Sequence, residues 1–212
     1  MERIGQRHRR CVCFVQFALT ALDVRQRFLV EVAPLAAQGR SVLSLTASCF
    51  LLKAGYTDMV RELLAVGADS NVTDMNADTP LFVAVKERHS AAATELIAGG
   101  RADVRRRDAA RGRQPVHYAA ELGLTSVVTA LLDAGSDVNT ADADGRTALM
   151  LATIGGHEDV ARLTMDRDGC DVNVVDSTQR TSLFYAAQLG LVDTVRRLLQ
   201  VRPLSVCNTF CY

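Results

Sequence analysis

No tryptophan occurs in the 212 residues, and aromatic residues make up only 5% of the chain. A core without large rings must be filled by Ala, Leu and Val, which suits closely packed helices. Lysine is nearly missing too: only Lys53 and Lys86 occur, so the positive charge is almost all arginine. That preference fits bidentate recognition of carboxylates, and a biased genome composition produces it equally well. Neither sign of charge is in excess, since Lys+Arg and Asp+Glu both total 24. A neutral chain offers no global electrostatic reason to bind nucleic acid or a membrane. Histidines number four, and none is left over beside a candidate Ser or Cys nucleophile, so a catalytic triad has no basis.

What is present is a repeat. Segments starting at Thr46, Thr79, Gln114, Thr147 and Thr181 resemble one another, with successive starts 33, 35, 33 and 34 residues apart. Each runs on into a second apolar pattern that ends in two bulky residues: Leu63-Leu64, Leu96-Ile97, Leu131-Leu132, Thr164-Met165 and Leu198-Leu199. Thr followed by Pro80 or a small residue is a helix start, because the hydroxyl caps free backbone N–H groups and Pro fits the first turn. Small pairs such as Ala119-Ala120 and Ala186-Ala187 let helices approach closely. Gly55, Gly123, Gly156 and Gly190 then end the first helix where a left-handed residue is wanted. Val127, Val128, Leu131 and Leu132 carry the second helix at helical spacing, and Gly67, Gly100, Gly135 and Gly169 stop it. Polar turns such as Ser136-Asp-Val-Asn139 lead onward. The spacing therefore predicts helix, turn, helix and extended loop, repeated about five times.

The unit resembles the ankyrin repeat. Gln114-Pro-Val-His-Tyr-Ala-Ala120, Gly135-Ser-Asp-Val-Asn139 and Thr147-Ala-Leu149 with Gly156-His157 carry the likeness, which covers roughly residues 41–200. It implies an all-α solenoid with projecting hairpin loops. It also implies that His117 is tied into a turn network and that His89 and His157 sit at inter-helix turns. The pattern departs at Phe50-Leu51-Leu52, where small residues are usual, and at Arg88, which replaces a glycine. It departs again in one extra residue after Gly100 and one before Gly169.

The flanks do not match the unit. Residues 1–40 are expected to form a helical cap, with Phe14, Phe17, Leu22, Phe28 and Leu29 covering the first copy. Arg3, Arg7, Arg9 and Arg10 ahead of the apolar stretch Cys11–Leu22 imitate a targeting peptide, but Gln16 interrupts it and nearby charges leave it too short to span a bilayer. Residues 201–212 form an apolar tail that either folds back over the last helix pair or marks a shortened relative of a longer array. The six cysteines, at 11, 13, 49, 170, 207 and 211, are expected as free thiols in a reducing compartment. His8 with Cys11 and Cys13 lacks the paired spacing of a zinc site.

No chemistry beyond binding is expected, and no metal or cofactor. Asp142-Ala-Asp-Gly145 lacks the distal Glu of a calcium loop and is expected to be a solvated turn. Six arginines crowd residues 101–113, among them Arg105, Arg106 and Arg107. They form either a solvated loop or a basic patch for an acidic protein segment, a lipid head group or an import receptor. Nucleic acid is not expected, because no aromatics interleave. The family resemblance places ligands on the concave side, at loop tips and first-helix faces. Carried over by position, this implicates Arg111, Arg113, Glu121 and Leu122, then Asp144, Arg146 and Ile154, then Arg180, Gln188 and Leu189. Arg113, Arg146 and Arg180 share one repeat position and are expected to form a ladder of surface cations. The resulting expectation is a monomeric interaction module or scaffold, in the cytoplasm or nucleus, that binds a protein with an acidic stretch. An adaptor that recruits substrates to an enzyme complex is the alternative.

Overall fold

The helices begin where the sequence supplies a cap. Thr79, Thr147 and Thr181 adopt extended backbone, and their hydroxyls accept the N–H of Phe82, Met150 and Phe184 at 3.4 Å each. At the third start Gln114 replaces Thr, and its N–H donates instead to Nδ1 of His117 at 2.9 Å. The computed structural model describes residues 57–201, apart from 66, 75 and 76. The expected N-terminal cap, the start of the first copy, every cysteine except Cys170 and the tail beyond Val201 lie outside the described residues.

The chain divides into two compact units, Met1–Ala102 and Asp103–Tyr212. In the first, α1 (Thr57–Ala65) and α2 (Pro80–Lys86) both pack against α3 (Ser90–Ala98). In the second, three helix pairs follow: α4 (Pro115–Glu121) with α5 (Thr125–Asp133), α6 (Ala148–Ile154) with α7 (Glu158–Met165), and α8 (Ser182–Leu189) with α9 (Val192–Val201). First helices pack in series, α4 on α6 on α8, and second helices do the same, α5 on α7 on α9. Buried Ala119, Ala120, Ala152 and Ala186 allow that approach, while Val127, Val128, Leu131, Val160 and Leu198 fill the space between the rows. The architecture is all-α. Among the described residues the extended pairing outside helices is an isolated bridge between Ala141 and Thr147.

The glycine at the inter-helix turn has a packing reason as well as a conformational one. Gly123 has φ +74°, and a Cβ there would lie 2.6 Å from Nδ1 of His157. The imidazole occupies that space so that its Nε2 meets the Glu121 carbonyl at 3.0 Å. Arg88 takes the same left-handed conformation, φ +61°, without being glycine.

Candidate functional site

Each projecting hairpin of the second unit is closed by an aspartate. Asp108, Asp142 and Asp176 donate their N–H to the carbonyls of Arg113, Arg146 and Arg180 at 2.8, 2.9 and 3.0 Å. Their Oδ1 atoms accept the N–H of the same arginines at 2.9, 2.9 and 3.0 Å, and a further N–H from Arg111, Asp144 or Thr178. Neighbouring tips are joined by Ala143 N–H to the Arg111 carbonyl (2.9 Å) and Ser177 N–H to the Asp144 carbonyl (2.8 Å). Gly145, at φ +76°, lies 3.2 Å by its would-be Cβ from the backbone of Asp176 and Ser177, so a side chain there would pry the tips apart. The backbones at 113, 146 and 180 are therefore set alike.

Their side chains are not alike, and the expected ladder of three needs correction. Arg113 is 1% exposed. Its Nε donates to Asp142 Oδ2 at 3.0 Å, its NH1 to Glu121 Oε2 at 2.6 Å, and it sits 5.4 Å from the Tyr118 ring centre. Burial alone would lower its pKa, but Glu121 and Asp142 outweigh that and raise it, so the guanidinium stays charged. The cause lies one repeat on. Tyr118 and Tyr185 donate their hydroxyls to Oδ2 of Asp108 and Asp176, whereas the matching residue of the fourth repeat is Leu151. Asp142 thus lacks a phenol, and Arg113 of the preceding hairpin fills the vacancy. The solvated-turn reading of Asp142 fails for the same reason: its side chain is fully buried.

Two more predicted site arginines are engaged with the scaffold. Arg105 occupies the place of Asn71 and Asn139, whose amides reach the Arg101 and Gly169 carbonyls at 2.7 Å each. Arg105 reaches the Gly135 carbonyl through Nε and NH2 at 2.9 and 2.7 Å. Arg107 donates to the carbonyls of Gly112 and Ala141 at 2.6 and 2.7 Å and to the Thr140 hydroxyl at 3.1 Å. Both arginines remain exposed while they do so, so the Arg-rich loop is solvated and also clasps the next repeat. Arg106 is half-buried and Arg111 exposed.

The remaining predicted residues stay accessible. Arg146 is partly exposed, its NH1 3.4 Å from exposed Asp144, and its Nε has no hydrogen-bond partner among the described residues. Arg180 is exposed over the Phe184 ring at 5.0 Å. Ile154, Gln188 and Leu189 are exposed, while Glu121 and Leu122 are half-buried. Glu121 also holds Arg113, so it serves the scaffold first. In the first unit the pair is reversed in sign: Asp78 holds Lys86 at 2.7 Å, at the positions of Arg113 and Glu121.

His117 behaves as the turn network requires. Its Nδ1 accepts from Gln114 and its Nε2–H donates to the Thr140 carbonyl at 3.0 Å. Burial lowers its pKa, so the ring is neutral with both nitrogens occupied. Among the described residues no group of three or more His, Cys, Asp or Glu is placed to hold a metal ion. None of the described helices is long and apolar enough to cross a membrane.

These features define a helical-repeat protein built from stacked helix pairs joined by projecting hairpins. The chain belongs to the ankyrin-repeat family: the family model "Ankyrin repeats (3 copies)" matches residues 43–142 and 117–206. It is 35% identical over 108 residues to cyclin-dependent kinase 4 inhibitor B of Rattus norvegicus, covering 51% of this chain and 82% of the relative. The Bos taurus inhibitor of that name is 37% identical over 108 residues, covering 51% and 81%. Tyrosine-protein kinase HTK16 of Hydra vulgaris is 34% identical over 113 residues; the match takes in 53% of this chain but only 15% of that kinase. Ankyrin repeats are protein–protein interaction modules, and this chain is one.

Proposed function

We propose that this protein docks a partner carrying an acidic stretch against the hairpin tips and first helices of its fourth and fifth repeats. The observation that supports the reading is the placement of Arg146 and Arg180. Asp142 and Asp176 hold their backbones alike; the Arg146 side chain is partly exposed and that of Arg180 exposed, as are Ile154, Gln188 and Leu189. Stacked helices lie about 8–10 Å apart, the span of about three residues of an extended chain, so two acidic residues at that spacing would meet both cations. The pre-set tips keep the ordering cost of docking small. The protein acts by binding, not by catalysis, in the cytoplasm or nucleus.

A panel of acidic and charge-neutral peptides, followed by fluorescence anisotropy against salt, tests this. Arg146→Glu with Arg180→Glu should abolish salt-sensitive binding of acidic peptides while the helical circular dichroism is retained. Equal binding of neutral peptides, or binding that survives the double reversal, overturns the reading. A second reading, a regulatory or adaptor subunit of an enzyme system, is favoured by the likeness to the rat inhibitor across most of that protein's length. Inhibition of purified cyclin-dependent kinase 4 by the full chain would support it, and no effect on that kinase would count against it.

A further inference from the structure

The mouth of each hairpin fixes a place for a charge and a second place for its counter-ion. Asp74 pins Asp78 as Asp108, Asp142 and Asp176 pin their arginines: its N–H donates to the Asp78 carbonyl at 2.9 Å and its Oδ1 accepts the Asp78 N–H at 2.9 Å. Eight residues after the pinned residue the chain is in the last turn of the first helix. Opposite charges at those two places meet. Lys86 Nζ donates to Asp78 Oδ1 and Oδ2 at 2.7 and 2.8 Å, and Arg113 NH1 to Glu121 Oε2 at 2.6 Å, each pair eight residues apart. The fold thus brings a counter-ion to the pinned charge, whichever sign comes first. The fourth and fifth repeats keep the cation, as Arg146 and Arg180, but the counter-ion places hold Ile154 and Gln188.

We propose, resting on the acidic-partner reading, that Ile154 and Gln188 are the specificity residues of the docking site. By carrying no charge they reserve the counter-ion places for two carboxylates of an extended peptide segment of the partner, one against Arg146 and one against Arg180. The competitors for these cations are weak. Arg146 NH1 lies 3.4 Å from Asp144 Oδ2, with side chains 32% and 52% exposed, and an ion pair open to water holds loosely. In the fifth repeat Thr178 stands in the place of Asp144. Arg180 lies over the Phe184 ring at 5.0 Å, a contact that neutralises no charge. Arg113 is excluded by the same rule, because Glu121 and Asp142 already answer it. Gln188 is exposed, and its amide N–H supplies a second donor to the carboxylate that Arg180 holds. The fifth repeat therefore takes its acid with two side chains, the fourth with one beside an apolar neighbour.

Fluorescence anisotropy on the full chain, with labelled peptides carrying two glutamates about three residues apart, tests this. Ile154→Glu with Gln188→Glu restores the internal counter-ions and should weaken binding at least about 10-fold, with both arginines untouched. Gln188→Glu alone, which keeps the size of an exposed side chain, should weaken it at least about 3-fold. Ser126→Glu with Val192→Glu adds the charge of the first pair at exposed positions of α5 and α9 and should stay within about 2-fold of the parent. Helical circular dichroism should be retained throughout. Equal weakening by the two pairs overturns the proposal, because added charge anywhere then repels the peptide. Unchanged binding in Gln188→Glu or in its pair with Ile154→Glu also overturns it. The acidic-partner reading still stands in that case if Arg146→Glu with Arg180→Glu abolishes binding. A parent chain that binds no acidic peptide overturns both.

Discussion

Replacing Arg113 with alanine removes the one donor that Asp142 Oδ2 receives from the preceding hairpin, inside a site closed to water. Breaking a buried ion pair from one side costs about 3–5 kcal/mol, because the remaining charge stays uncompensated. Asp142 keeps two backbone N–H donors on Oδ1, from Asp144 and Arg146 at 2.9 Å each, which puts the loss near the low end, about 3 kcal/mol. The Glu121 contact lies on the solvent side and adds no more than about 1 kcal/mol. Arg180→Ala is the matched comparison: it has the same repeat position and the same pinned backbone, but its exposed side chain rests on Phe184, a contact worth about 0.5–1 kcal/mol. Thermal melts followed by circular dichroism should place Arg113→Ala on the order of 10 °C below the parent, with Arg180→Ala within a few degrees of it. Arg113→Ala with Asp142→Asn should lose less than the sum of the two single changes, because they share one interaction. If Arg113→Ala and Arg180→Ala melt together, the buried pair does not hold the third and fourth repeats, and Arg113 returns to the surface ladder.

Three further outcomes follow from the same kind of reasoning. Ser70 is buried with an unpartnered hydroxyl, beside a small cavity lined by Val60, Leu63, Pro80 and Leu96, where later repeats place Val104, Val138 and Val172; Ser70→Val should raise the urea midpoint, by about 1 kcal/mol of stability, and a fall would show that the hydroxyl has a water partner. Arg88→Gly should stabilise by about 0.5–1 kcal/mol, since a side chain in the left-handed region costs about 1–2 kcal/mol and glycine gives back part of that in chain entropy; a loss of stability in the same titration would refute it. Burial would raise the Asp176 pKa, but the hydroxyls of Tyr185 and Thr178 and the N–H groups of Arg180 and Thr178 outweigh it and hold the carboxyl well below the usual range. A depressed pKa contributes stability that is present above the unfolded value, about 3.9, and lost as pH falls below it. Asp176→Asn should therefore be less stable at neutral pH and lose less on acidification from about pH 4 downward. Parallel acid titrations would count against the reasoning.

The helix-pair unit, its period and its caps were legible in the sequence because they depend on local chemistry. A Thr hydroxyl caps the backbone three residues on, a glycine takes a left-handed turn, and apolar residues recur at helical spacing. These constraints act within a dozen residues and repeat at every copy. The exposure of Ile154, Gln188 and Leu189 also follows from repeat position. What position alone did not decide was the fate of individual charges. Arg113, Arg146 and Arg180 look equivalent in the chain, yet Arg113 is buried because Leu151, 38 residues later, leaves Asp142 without a phenol. Arg105 likewise, though still exposed, commits its guanidinium to a carbonyl 30 residues away. The only sequence signal for this was the recurrence of Asp108, Asp142 and Asp176 at the hairpin mouth, read against Tyr118, Leu151 and Tyr185. A charged side chain goes where its free energy is lowest. That depends on which partners the next repeat brings within hydrogen-bond reach, so the sequence sets the scaffold and the tertiary packing decides which arginines remain for a partner.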